Sequence, residues 1–145
     1  MLLKKELTIT SSTQYIFCIC IGSSFSFLVF PTVDTGWRYD SQAFLFSLVN
    51  KPGRAPVKLP QTGQYSSYRY SIYDDLSDGP IFGNGHDIHV SNYASSSGRS
   101  YANLGHNYSP PSGYNYGDTF TQTFLAGGSN YYFTPDEVET FYETT

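Results

Sequence analysis

A chain of 145 residues has room for one domain at most, since a single core ordinarily takes about 100–150 residues. Charged residues make up only 14% of it and the net charge is −4. Most acidic residues follow Pro60, where only Arg69 and Arg99 oppose them. Nucleic-acid binders neutralise phosphates with clustered Lys and Arg, so this charge pattern excludes nucleic acid as a partner.

Aromatic residues reach 18%, with 14 Tyr and 11 Phe, and 13 Gly and 8 Pro break the runs. Rings of this kind favour pleated, half-buried surfaces, so strands and turns are expected and long helices are not. Both cysteines, Cys18 and Cys20, lie in the N-terminal apolar run. The remainder has no disulfide framework and no cysteine set for zinc, and core packing alone must hold it.

Residues 1–35 read differently from the rest. Lys4 and Lys5 precede a polar stretch and then the apolar run Tyr15–Phe30. One reading is a signal peptide with a small-x-small site at Ser24-Phe25-Ser26. A second is a weak membrane anchor, although the run falls short of the roughly 20 residues a spanning helix needs. The third is one buried strand plus irregular chain, or non-native sequence from a misplaced gene start. Membrane contact is expected only if the run is an anchor.

Residues 36–145 form the domain proper. Ala43–Val49 is a continuous apolar run closed by Asn50-Lys51-Pro52-Gly53, which predicts a strand buried on both faces. Arg54–Leu59 begins a return strand that Pro56 confines to an edge. Tyr68–Tyr73 alternates like a strand, and Asp74–Pro80 is a turn. After Gly83-Asn84-Gly85, the segment His86–Val90 is a strand with Ile88 and Val90 on one face and Asp87 and His89 on the other.

Beyond this strand, Asn92–Gly98 is a Ser-rich loop, Tyr101–Tyr108 is irregular, and Pro110–Gly113 forces a turn. Thr119–Ala126 carries Phe120, Phe124 and Leu125 as far as Gly127-Gly128. Thr134-Pro135-Asp136-Glu137 has the form of a capping box, predicting at most one helical turn before a closing strand through Tyr142.

Candidate chemistry centres on His86, Asp87 and His89, the only tight group of side chains able to ligate. Two ligands on one strand face fall short of a metal site, and His106 would have to reach in from a distant loop. Asp74, Asp75 and Asp78 do not have calcium-loop spacing, since Leu76 and Gly85 occupy ligand positions. Gly83-Asn84-Gly85 lacks the third glycine and following helix of a phosphate loop. Its glycines read as a tight turn or a close backbone approach. No Gly-x-Ser-x-Gly elbow and no Cys near a His supplies a nucleophile. Tyr93, Tyr101, Tyr108, Tyr114 and Tyr116 read as loop tyrosines, which form a partner-binding surface or pack over the sheet ends. Asn107-Tyr108-Ser109 is a glycosylation acceptor that matters only in a secreted chain.

These pieces fall in a recognisable order. Gly36-Trp37-Arg38-x-Asp40-x-x-Ala43-Phe44-Leu45-Phe46-Ser47-Leu48 resembles the first motif of the second half of a TLDc domain. Gly79-Pro80-x-Phe82-Gly83-x-Gly85-His86-Asp87-Ile88 resembles that family's central motif. Tyr101-x-Asn103-Leu104-Gly105, with Tyr108 and Pro110, resembles the next. Phe124-Leu125-Ala126-Gly127, with Asp136-Glu137-Val138-Glu139 and Phe141, resembles the ending. The match runs over about Gly36–Tyr142. A full domain of that family starts further upstream, and nothing in Met1–Thr35 resembles its opening stretch.

The fold class expected is mainly β: a two-layer antiparallel β-sandwich with short helices, incomplete at its N-terminus. A sandwich short of strands exposes its apolar inner face, so the isolated chain is expected to aggregate or to fold only partly. The resemblance implies a non-enzymatic protein-interaction module linked to oxidation resistance and to regulation of the vacuolar proton pump, in the cytoplasm and without a cofactor. Gly83, Gly85, His86, Asp87, His89, Tyr101 and Tyr108 are its binding candidates, with no catalytic residue and no metal. One alternative is a secreted or surface-anchored β module that binds extracellular protein or glycan. A second is a metal-assisted hydrolase or antioxidant enzyme built on His86, Asp87 and His89.

Overall fold

The computed structural model describes residues 5–10, 16–21, 35–49, 55–63, 69–75, 77–125 and 130–142. Two antiparallel sheets contain all the strands among them. The first has five: β1 (Lys5–Thr10), β2 (Ile16–Ile21), β4 (Phe44–Val49), β5 (Val57–Pro60) and β11 (Glu137–Tyr142), in the order β11-β1-β2-β4-β5. The second has six: β3 (Gly36–Arg38), β6 (Ile72–Asp74), β7 (Ile81–Phe82), β8 (Ile88–His89), β9 (Ser100–Ala102) and β10 (Tyr132–Phe133), in the order β10-β9-β8-β7-β6-β3. The helices are single turns, α1 (Ala94–Ser97) and α2 (Thr119–Thr123).

The fold is therefore a mainly β, two-layer sandwich with short helices. One cluster of buried side chains joins the layers. Ala43, Leu45 and Leu59 enter it from the five-stranded side, and Ile72, Phe82, Ile88, Ala102 and Phe133 from the six-stranded side. Val90, Leu104, Tyr108, Phe124 and Leu125 fill the space at the ends of the sheets. Each fully buried aliphatic or aromatic side chain contributes roughly 1.5–3 kcal/mol to holding the layers together.

Part of the N-terminal apolar run is strand β2, paired with β1 on one side and β4 on the other. Its proposed cleavage site at Ser24–Ser26 lies outside the described residues. No helix among the described residues is long and apolar enough to cross a membrane.

Several local expectations are corrected. Strand β4 is not buried on both faces. Leu45 and Ser47 point into the core, Phe44 and Phe46 are half-buried on the other side, and Leu48 is 42% exposed. The alternation is hidden in the sequence because the outward positions are also apolar. Lys58 covers Phe44, its Nζ 3.8 Å from the ring centre. Strand β6 starts only at Ile72, and Arg69–Tyr70 form a tight helical turn before it. The closing strand expected through Tyr142 is present as β11, with no helical turn at Thr134–Asp136 before it. Conversely, the Ser-rich loop contains α1, and Thr119–Thr123 is helical with Phe124 closing its last turn. Strand β5 is an edge strand, as Pro56 requires.

Candidate functional site

Asp87 precedes β8 and is fully buried. It does not share the outer strand face with His89, as strict alternation predicted. Its carboxylate turns instead into the loop 103–108. Oδ1 accepts hydrogen bonds from the backbone N–H groups of Gly105 (2.9 Å), His106 (3.1 Å) and Tyr108 (3.2 Å). Oδ2 accepts from Asn107 (2.8 Å). Consecutive amides that converge in this way form an anion-binding nest, and Asp87 is the resident anion.

The glycines around it serve that packing. Gly83 adopts φ 79°, and a Cβ placed there would lie 2.1 Å from Asp87 Oδ2. A Cβ on Gly85 would lie 2.4 Å from that of His106. Both are close-approach positions, one of the two roles expected for the Gly-Asn-Gly turn.

Burial raises the Asp87 carboxyl to about 6, and the four amide donors hold it from rising further. The unfolded chain releases this proton near pH 4 and the native chain only near pH 6. Between those values the native state binds the extra proton, so stability falls as pH rises. The loss attributable to Asp87 is expected to be on the order of 3 kcal/mol. Urea midpoints between pH 4 and pH 7, taken as the difference from Asp87→Asn, measure it. A difference that stays flat across that window would contradict the assignment.

His86 is held at φ 53° in the same turn, its N–H donating to Gly83 O at 2.8 Å. Its Nδ1 is hydrogen-bonded to the Tyr101 hydroxyl. Burial lowers the His86 pKa, the neighbouring His89 lowers it further, and Asp78 opposes both. Tyr101 is pushed up to about 12, chiefly by burial and then by Tyr131. Both shifts favour a neutral pair in which the phenol donates to the imidazole. His89 is only 8% exposed. Its Nε2 lies 2.9 Å from Asp78 Oδ2, off the line of a hydrogen bond, and its Nδ1 has no partner among the described residues.

His86, Asp87 and His89 therefore do not form one site, since both Asp87 oxygens are taken by the backbone. Among the described residues no three His, Cys, Asp or Glu side chains are placed to hold a metal ion.

Tyr108 is no surface residue. It is fully buried in the core, and its hydroxyl donates to Ser71 O at 2.9 Å. Asn107 is buried as well, its Oδ1 accepting from Asn84 N, so the glycosylation acceptor is folded inside. Tyr114 stacks on Phe120 with ring centres 3.6 Å apart, packing over the end of the fold. Tyr101 belongs to β9, not to a loop, while Tyr93 and Tyr116 are exposed.

The chain matches no family model, no curated protein and no solved structure.

Strand register exposes a feature that sequence reading missed. Trp37 lies opposite Tyr73, Tyr73 opposite Ile81, Ile81 opposite His89, His89 opposite Tyr101, and Tyr101 opposite Tyr132. Directly opposed residues share a sheet face, so this row crosses all six strands on the side away from the core. Its neighbours Ile72, Phe82, Ile88 and Ala102 form the inward row. Ile81 is buried yet does not belong to the core cluster, as an outward position covered by aromatic neighbours requires. Rings meet along the row: Trp37 and Tyr73 at 4.9 Å, His89 and Tyr101 at 4.9 Å, and Tyr101 and Tyr132 edge-on at 6.0 Å. The only sequence signal was the alternation within each short strand, which gives no register between strands.

Proposed function

We propose that this chain is a non-enzymatic docking module of TLDc type that binds a protein partner through the outer face of its six-stranded sheet. The observation that supports this reading is the row Trp37–Tyr73–Ile81–His89–Tyr101–Tyr132. A soluble sheet usually places polar side chains on its outer face, whereas this row is aromatic except for Ile81. Tyr and Trp are the residues that most often carry binding energy at protein interfaces, because they bury large area with little rotamer entropy to lose. Tyr132, 57% exposed at the sheet edge, is the natural anchor. By the resemblance, the partner is the vacuolar proton pump, and the module's role is to regulate that pump and to protect against oxidative stress.

The test is binding of the purified chain to the detached peripheral sector of a vacuolar proton pump. The double variant Tyr101→Ala, Tyr132→Ala is expected to weaken binding by about 30-fold, equivalent to about 2 kcal/mol. Urea unfolding verifies that the variant remains folded. Unchanged affinity in the variant would remove this face from the interface. A wild-type chain that does not bind would remove the pump as partner.

A further inference from the structure

A second feature lies beside the row and does not depend on the docking reading. The turn before β7 and the segment that follows β8 enclose an open pocket of about 520 Å³. Asp78, Arg99 and the exposed Tyr93 are among the residues that line it. The rest of the lining is His89, Asn92 and serine hydroxyls, with no aliphatic wall.

We propose that this pocket binds a neutral saccharide ring. The first argument is charge. An anion would meet the Asp78 carboxylate and a cation would meet the Arg99 guanidinium, so the pair disfavours either kind of ion. Both groups are planar and multidentate, one accepting and one donating, and so are suited to vicinal hydroxyls. No carboxylate pairs with Arg99 among the described residues, which leaves its donors available to a ligand.

The second argument is the shape of the lining. An aliphatic ligand needs aliphatic walls to replace water, and no aliphatic side chain lines this pocket. A sugar needs hydroxyl and amide partners and one ring for its C–H face. Tyr93 supplies that ring and is 85% exposed.

At the pocket wall the Ser91 hydroxyl is hydrogen-bonded to those of Ser97 and Ser100. Asn92 Nδ2 donates to Ser77 O at 2.6 Å and ties the two sides of the pocket together. The walls are thus fixed before a ligand arrives, which lowers the entropy lost on binding.

The experiment is an amide and arginine side-chain NMR titration of the full chain. The probes are methyl α-D-mannopyranoside, methyl β-D-glucopyranoside and methyl β-D-galactopyranoside, each beside a disaccharide ending in the same sugar. Inorganic phosphate and glucose 6-phosphate are the anionic controls. Saturable shifts at Ser77, Asp78, His89, Asn92, Tyr93 and Arg99 are expected with at least one glycoside and not with phosphate. Arg99→Ala and Asp78→Asn are each expected to weaken that binding at least about tenfold, while the core resonances of Leu45 and Phe82 stay in place. A disaccharide that binds as tightly as its glycoside, or more tightly, assigns the pocket to a glycan end. Weaker binding of the disaccharide assigns it to a free sugar. The proposal is overturned if no glycoside shifts these residues, if the shifts survive Arg99→Ala, or if phosphate alone produces them. None of these outcomes bears on binding to the proton pump.

Discussion

Asp87→Ala is expected to cost about 4 kcal/mol or more, enough to leave the chain largely unfolded under mild conditions. Four backbone N–H groups, those of Gly105, His106, Asn107 and Tyr108, lose their acceptor in one step. An unsatisfied buried donor costs about 1–3 kcal/mol, and the cavity left by the carboxyl adds to it, less whatever an entering water recovers. Asp87→Asn keeps the shape and one acceptor oxygen but turns an NH2 group towards a donor. It is expected to lose roughly half as much. Urea denaturation of the three proteins decides the matter. Equal stability of wild type and Asp87→Ala would show that the amides do not depend on this carboxylate. Full stability of Asp87→Asn at neutral pH would show that the second oxygen is dispensable.

The second large effect is expected at Tyr108. Replacing a fully buried aromatic ring by alanine removes its transfer energy and leaves a cavity, together about 3–5 kcal/mol. Tyr108→Phe separates the ring from its hydroxyl. Ser71 O also accepts from Gly83 N at 3.2 Å, so the carbonyl is not orphaned when the phenol is removed. The loss in Tyr108→Phe is therefore expected to be only about 1 kcal/mol. Thermal unfolding followed by near-ultraviolet dichroism measures both variants. Equal losses in the two would mean that the hydroxyl, not the ring, carries the contribution.

Both effects have one structural origin. The loop 103–109 lies across the end of the sandwich and joins its layers. Thr62 N donates to Asn107 O at 2.8 Å, and Ser109 N donates to Pro60 O at 2.7 Å, binding the loop to the chain end of β5. The Asp87 cage and the Tyr108 hydroxyl bind it to the six-stranded side. The turn Asp40–Ala43 joins the same network, with Gln61 Nε2 donating to Asp40 O and Ser71 Oγ donating to the same carbonyl. A change at Asp87 or Tyr108 therefore loosens both layers, not one loop.

The sequence alone determined the class of fold, because that depends on local chemistry. Tyr, Phe and β-branched residues in short runs, broken by Gly and Pro, favour pleated structure whatever the partners. The same local reasoning placed β5 at an edge through Pro56 and kept Ile88 and Val90 in the core. It went astray where a residue's direction depends on something distant in sequence. Asp87 was assigned to the face of His89 by alternation, but its carboxylate is drawn out of the strand pattern by amides 18 to 21 residues away. Tyr108 looked like a surface tyrosine because its neighbours are turn residues, and only the meeting of the two sheets buries it. The aromatic row exists only once the register of six strands is set, since no segment contains more than two of its members. The pocket brings Asp78 and Arg99 together by the same means. Composition selects what a chain builds, whereas the directions of polar side chains follow from which backbone groups tertiary packing leaves without partners.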